Sequence, residues 1–137
     1  TQDTILLHTN DGSTGYRIVN FYVMSNNPTG ADVEAVVSIW KISQTAASTT
    51  IDFSNNTLLA TAFFSNAKAV PNTTTSVIIF DKEIVNQDIY VNVKCGGGGA
   101  DSMNYYLELE QIKLDLSENT VATLKDIRNT TQPAVMP

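Results

Sequence analysis

Ile89-Tyr90-Val91-Asn92-Val93-Lys94-Cys95 places an apolar residue at every odd position, with Tyr90, Asn92 and Lys94 between them. Successive strand side chains point to opposite faces, so this period of two predicts a half-buried β-strand. Tyr105-Tyr106-Leu107-Glu108-Leu109-Glu110 repeats the pattern, with Tyr105, Leu107 and Leu109 inward and Glu108 and Glu110 outward. Gly96-Gly97-Gly98-Gly99-Ala100-Asp101-Ser102 separates the two, and the whole reads as an antiparallel hairpin with a long, flexible tip. After Glu110 the apolar positions become even, at Ile112, Leu114 and Leu116. A one-residue slip would expose the whole set, which predicts a β-bulge near Gln111.

Residues 17–24 and 33–41 flank the turn signal Asn27-Pro28-Thr29-Gly30 and predict a second hairpin. Their apolar residues fall on both parities, as in central strands with one face on the core and the other against a neighbouring subunit. Residues 4–8, 58–64 and 75–80 supply further strands, and the polar, Thr-rich stretch 45–52 reads as an exposed connection. Val, Ile and Thr number 12, 11 and 17, so 40 of 137 residues are β-branched and favour the pleated strand over the helix. The expected fold is all-β: an antiparallel, jelly-roll-like β-sandwich of about seven to nine strands. It occupies residues 1–117, with residues 118–137 as an extended C-terminal arm. In that arm Val121, Leu124 and Ile127 recur at three-residue spacing, and Val135 and Met136 stand near its end. These five are the candidate inter-subunit contacts.

Charge narrows the partners. Eight basic against 14 acidic residues give 8 − 14 = −6, which repels nucleic acid and anionic lipid, so neither nucleic acid nor membrane is an expected partner. Charged residues make up only 16% of the chain, against about 25% in an ordinary soluble domain. Thr, Asn and Ser supply the polarity instead, which suits a surface packed against other surfaces. The longest apolar runs, such as Val77-Ile78-Ile79-Phe80, fall far short of the roughly 20 residues that span a bilayer. Thr1-Gln2-Asp3-Thr4 shows neither the basic nor the apolar region of a secretory leader, and the chain reads as soluble.

Each candidate chemistry meets a simpler account. Gly96 to Gly99 offers bare amides, but a phosphate loop ends in Gly-Lys-Ser/Thr and here Ala100-Asp101 follows. Cys95 and His8 are the sole cysteine and histidine, so no internal disulfide or His-paired metal site is expected, and no cofactor. Cys95 sits on the inward parity of its strand, where it packs as a small hydrophobe. Glu108 and Glu110 share a strand face as half of a glycosidase pair or cation site would, yet outward acids ordinarily solvate a strand. Asp11, Asp32, Asp81 and Asp101 fall at turns, where Asx bonding accounts for them. Asn55-Asn56-Thr57, Asn72-Thr73-Thr74 and Asn129-Thr130-Thr131 fit the N-glycosylation pattern, as chance would give with 13 Asn and 17 Thr. Trp40, with Tyr16, Tyr22, Tyr90, Tyr105 and Tyr106, offers an aromatic platform for sugar rings, with Trp40 and Tyr22 as its leading candidates, which makes a carbohydrate-binding β-sandwich module the alternative reading.

The order of the pieces is more specific. Ile18-Val19-Asn20 opens a strand ending in Ser25-Asn26, and a Val-rich strand and Val70-Pro71 follow. A Thr run leads into Val77-Ile78-Ile79-Phe80, then Glu83-Ile84-Val85-Asn86-Gln87-Asp88-Ile89-Tyr90-Val91, and finally Tyr105-Tyr106-Leu107-Glu108-Leu109. Over residues 16–112 this layout resembles the small β-sandwich virion structural proteins of tailed bacteriophages, of the capsid-decoration or neck and tail accessory type. Gln87-Asp88 stands where that pattern has Gly-Asp, and the tail beyond Asp115 has no counterpart. The resemblance implies a non-enzymatic, homo-oligomeric virion subunit, made in the cytoplasm of a bacterial host, that docks on other virion proteins. It assigns no binding residues.

Overall fold

The computed structural model describes residues 2–8, 13–27, 33–66, 73–96 and 102–114. Seven strands form within them: β1 (Gln2–Ile5), β2 (Thr14–Ser25), β3 (Glu34–Trp40), β4 (Leu58–Ser65), β5 (Thr73–Ile78), β6 (Ile89–Cys95) and β7 (Met103–Lys113). All pair antiparallel, in a five-stranded sheet of order β1-β6-β3-β4-β5 and a two-stranded sheet of β2 and β7. The described residues contain no helix. The all-β expectation and the strand number agree with this, and residues 45–52 run without a strand, mostly exposed. The arm, with Val121, Leu124, Ile127, Val135 and Met136, lies outside the described residues, as do Leu116, Asp11, Asp32 and Asp101.

One hydrophobic cluster joins the sheets in a sandwich-like arrangement. Ile18, Phe21 and Val23 of β2 meet Val37 and Ile39 of β3 and Ile89 and Val91 of β6, with Tyr105, Leu107 and Leu109 of β7 packed against them. The alternations that opened the sequence reading are therefore real strand faces. Their predicted pairing is corrected: β6 pairs with β1 and β3, whereas β7 pairs with β2 in the other sheet. The second hairpin is corrected likewise, since β2 joins β7 and β3 lies between β4 and β6. Alternation fixes which face of a strand is buried, not which strand lies beside it.

Both parities are buried in β3, from Ala35 to Ile39, because it is a central strand. The mixed parity of β2 has another cause. Its ladder with β7 shifts between Ile18 and Asn20, leaving Val19 as an extra residue opposite the Leu109–Glu108 step. The irregularity falls on β2 instead of in β7 near Gln111, and it moves the inward positions from Ile18 to Phe21 and Val23. Tyr22 and Met24 consequently face outward and are exposed.

Residues 79–88 carry the chain from β5, at one side of the sheet, past β4 and β3 to β6, and hydrogen bonds fasten them on alternate steps. Arg17 donates to the Asp81 carbonyl at 2.8 Å and to Glu110 at 3.2 Å. Lys41 reaches Glu83 at 2.7 Å. Val85 exchanges two backbone bonds with Tyr16, of 2.8 and 2.9 Å. Gly15 permits the close approach, since a Cβ there would stand 2.5 Å from Ile84 Cγ2.

Candidate functional site

Asp88, at the foot of β6, holds the chain leaving β1. Its Oδ1 accepts from the amides of Leu7 at 2.9 Å and His8 at 3.2 Å, and lies 2.6 Å from His8 Nδ1. Burial, the largest single influence, pushes the Asp88 carboxyl up, but the His8 ring and the two amides together outweigh it and leave the pKa below its ordinary value. A carboxyl depressed in the folded state contributes stability that is complete above its unfolded-state pKa and lost as pH falls through the folded value. Asp88→Asn is therefore expected to cost about 1.5 kcal/mol at pH 7. Urea melts at successively lower pH should show the gap to wild type closing as the native carboxyl protonates.

Cys95 and His8, the one thiol and the one imidazole that nucleophilic catalysis would have to pair, stand apart. His8 is bound at the Asp88 end of β6 and Cys95 ends the same strand, about 20 Å away at the rise of an extended chain. Cys95 is half-buried and packs against the core. Glu108 and Glu110 do lie on the outward face of β7, where Glu110 is taken up by Arg17. Thr57, of the Asn55-Asn56-Thr57 triplet, is buried with its hydroxyl bonded to Asn55 Oδ1 at 2.7 Å. No group of three or more His, Cys, Asp or Glu that could hold a metal occurs among the described residues. Nor is any described helix long and apolar enough to cross a membrane.

Trp40 and Tyr22 belong to different sheets and do not form one platform. Trp40 is half-buried at the end of β3, opposite Tyr90 and Leu58. Tyr22 instead stacks on Tyr106, its cross-strand neighbour in β7, with ring centroids 4.7 Å apart and planes 12° from parallel. Both rings stay in water, Tyr22 at 47% and Tyr106 at 48% exposure, and Met24 beside them is 56% exposed. Asn20 and Asn104 flank them and Glu108 follows, so the outward face of the two-stranded sheet is an aromatic patch with a polar margin. The sequence offers both Tyr22 and Tyr106 as aromatic candidates but not their pairing, because the neighbour of each strand is not written in it.

Opposite this patch, the outward side of the five-stranded sheet is closed at its centre. Ser38, Thr61 and Asn92 are buried there in adjacent strands, with the Ser38 and Thr61 hydroxyls 3.2 Å apart. Among the described residues, Asn92 Oδ1 is buried with no hydrogen-bond partner. At the β1 side, Gln2 binds the start of the β3–β4 connection through Ser43 Oγ at 2.9 Å and the Gln44 amide at 2.8 Å. No protein-family model, curated protein or solved structure matches the chain.

Proposed function

We propose that this chain is a non-enzymatic structural subunit of a tailed-phage virion, a capsid decoration or cement subunit or a neck or tail accessory subunit. In this reading the two sheets form a jelly-roll-like sandwich, copies of the chain associate with one another, and residues 118–137 act as an arm onto other virion proteins. The protein is made in the cytoplasm of a bacterial host and resides in the virion. The observation that carries the reading is the outward β2–β7 face, where Tyr22, Met24 and Tyr106 lie together in water. Contiguous exposed apolar surface with a polar rim suits docking on another protein, and a symmetric shell repeats a modest contact many times.

Copy-number mass spectrometry on gradient-purified particles tests it. Copies on the order of hundreds are expected for shell decoration, and about a dozen for the neck or tail. Absence of the protein from particles would overturn the proposal. A carbohydrate-binding module is the second reading, favoured by the same exposed tyrosines. It requires saturable glycan binding that Tyr106→Ala abolishes.

A further inference from the structure

We infer that β5 is a self-association edge, through which the five-stranded sheets of two copies of this chain join antiparallel across a two-fold axis. Among the described residues β5 is the outermost strand beside β4, and their ladder runs without a register shift from Ala60↔Ile78 to Ser65↔Thr73. Just past its end, the Ile79 amide donates to the Leu59 carbonyl at 2.9 Å. Antiparallel alternation then turns the backbone groups of Val77 and Thr75 toward β4, and those of Ile78, Ser76 and Thr74 away from it. The side chains of Thr74, Thr75, Ser76 and Val77 are all exposed.

Open strand edges invite pairing, and monomeric proteins blunt them with charge, proline, bulges or shortness. The other outer strands of this molecule show those devices. β1 has four residues and carries Asp3. β2 carries Arg17 and the Val19 irregularity, and β7 carries Glu108, Glu110 and Lys113. β5, Thr-Thr-Thr-Ser-Val-Ile, has none of them. For a chain of net charge −6 this matters, because two copies meeting at an uncharged strand bring no like charges together at the seam.

The same strand fits a second copy of itself. A register centred on Ser76 sets it opposite Ser76 of the partner subunit, and sets Thr74 opposite the partner's Ile78, so that outward backbone groups face one another. Thr75 then lies against the partner's Val77, a β-branched cross-strand pair. Two-fold pairing consumes both open edges and closes at a dimer instead of propagating into a fibre. The inference rests on the homo-oligomer part of the proposed function and not on its virion part. A monomer present on particles would sink the first alone, and a dimer absent from them the second alone.

Sedimentation of the full chain over a concentration series, with amide hydrogen exchange, tests it. Wild type is expected to sediment as two chains, with the Thr74, Ser76 and Ile78 amides exchanging more slowly as the dimer fills. Ser76→Pro removes an outward N–H that the β4 ladder does not use, and Ser76→Lys sets two ammonium groups face to face. Each should sediment as one chain and match the urea midpoint that wild type shows at concentrations where it too is monomeric, and mixing S76K with S76E should restore the mass of two. A wild type that stays monomeric to its solubility limit overturns the inference. So does a dimer that ignores both substitutions, or one in which those three amides exchange as fast as in the monomer; that last readout decides even if a variant fails to fold.

Discussion

Replacing Phe21 with alanine is expected to lower the unfolding free energy by about 3–5 kcal/mol, the cost of truncating a fully packed aromatic residue. Phe21 is 3% exposed and sits just past the Val19 irregularity, paired with Leu107. It is one of three β2 residues, with Ile18 and Val23, that fix the two-stranded sheet onto the five-stranded one. A domain of this kind has about 5–15 kcal/mol of stability in total, so urea melts should show a large fall in midpoint. Tyr22→Ala is the contrast. The neighbouring side chain points to water and loses only its stack with Tyr106, a cross-strand pair worth about 0.5–1 kcal/mol. Equal losses at the two positions would contradict the assignment of faces along β2.

The second large effect belongs to Glu83. Its carboxylate lies 2.7 Å from the Lys41 ammonium, and the two side chains are 22% and 3% exposed. Breaking a buried pair by deleting one partner leaves a charge in a medium that solvates it poorly. Glu83→Ala is expected to cost about 3 kcal/mol, the low end of the range for such pairs, because the carboxylate keeps some water. The loss would also free the middle of residues 79–88, between the Arg17 bond to Asp81 and the Tyr16–Val85 bridge. Adding Lys41→Met should recover part of the stability, and a double-mutant cycle by chemical denaturation measures the coupling. Simple additivity of the two substitutions would sink the account. Glu108→Ala, on an exposed position, should stay within about 0.5 kcal/mol of wild type.

What was legible in the sequence is what depends on a single strand. The alternations in β6 and β7 named their inward residues correctly, because a buried face leaves a period of two in the chain itself. Partner choice leaves no such trace. The stretch between Cys95 and Met103 serves a crossing between sheets as well as it would serve a hairpin tip, so the pairing was misread. In β2 the mixed parity had two causes to choose between, burial on both faces or one extra residue, and the apolar pattern alone does not separate them. Tyr22 stood out as an aromatic residue, but its partner comes from the far end of the described chain. Asp88 was marked only by its place in Gln87-Asp88 and not by its role, which depends on meeting the Leu7 and His8 amides. The lack of charge in β5 was there to be read, but it acquires meaning only once topology leaves that strand at an edge.

The pairing of β2 with β7 also sets the order in which the molecule can be assembled during its synthesis. β3, β4, β5 and β6 are contiguous in the chain and can pair as soon as Cys95 has left the ribosome. β2 emerges before all of them yet has no strand to bond until β7, from Met103 to Lys113, appears. Over the interval between the emergence of β2 and that of β7, the face bearing Phe21 and Val23 is an unpaired apolar strand on a nascent chain. Closing so long a loop is expected to be the slow step of folding, in the range of about milliseconds to seconds for topologies dominated by distant contacts. A chaperone that holds extended apolar segments therefore has β2 to bind throughout that interval.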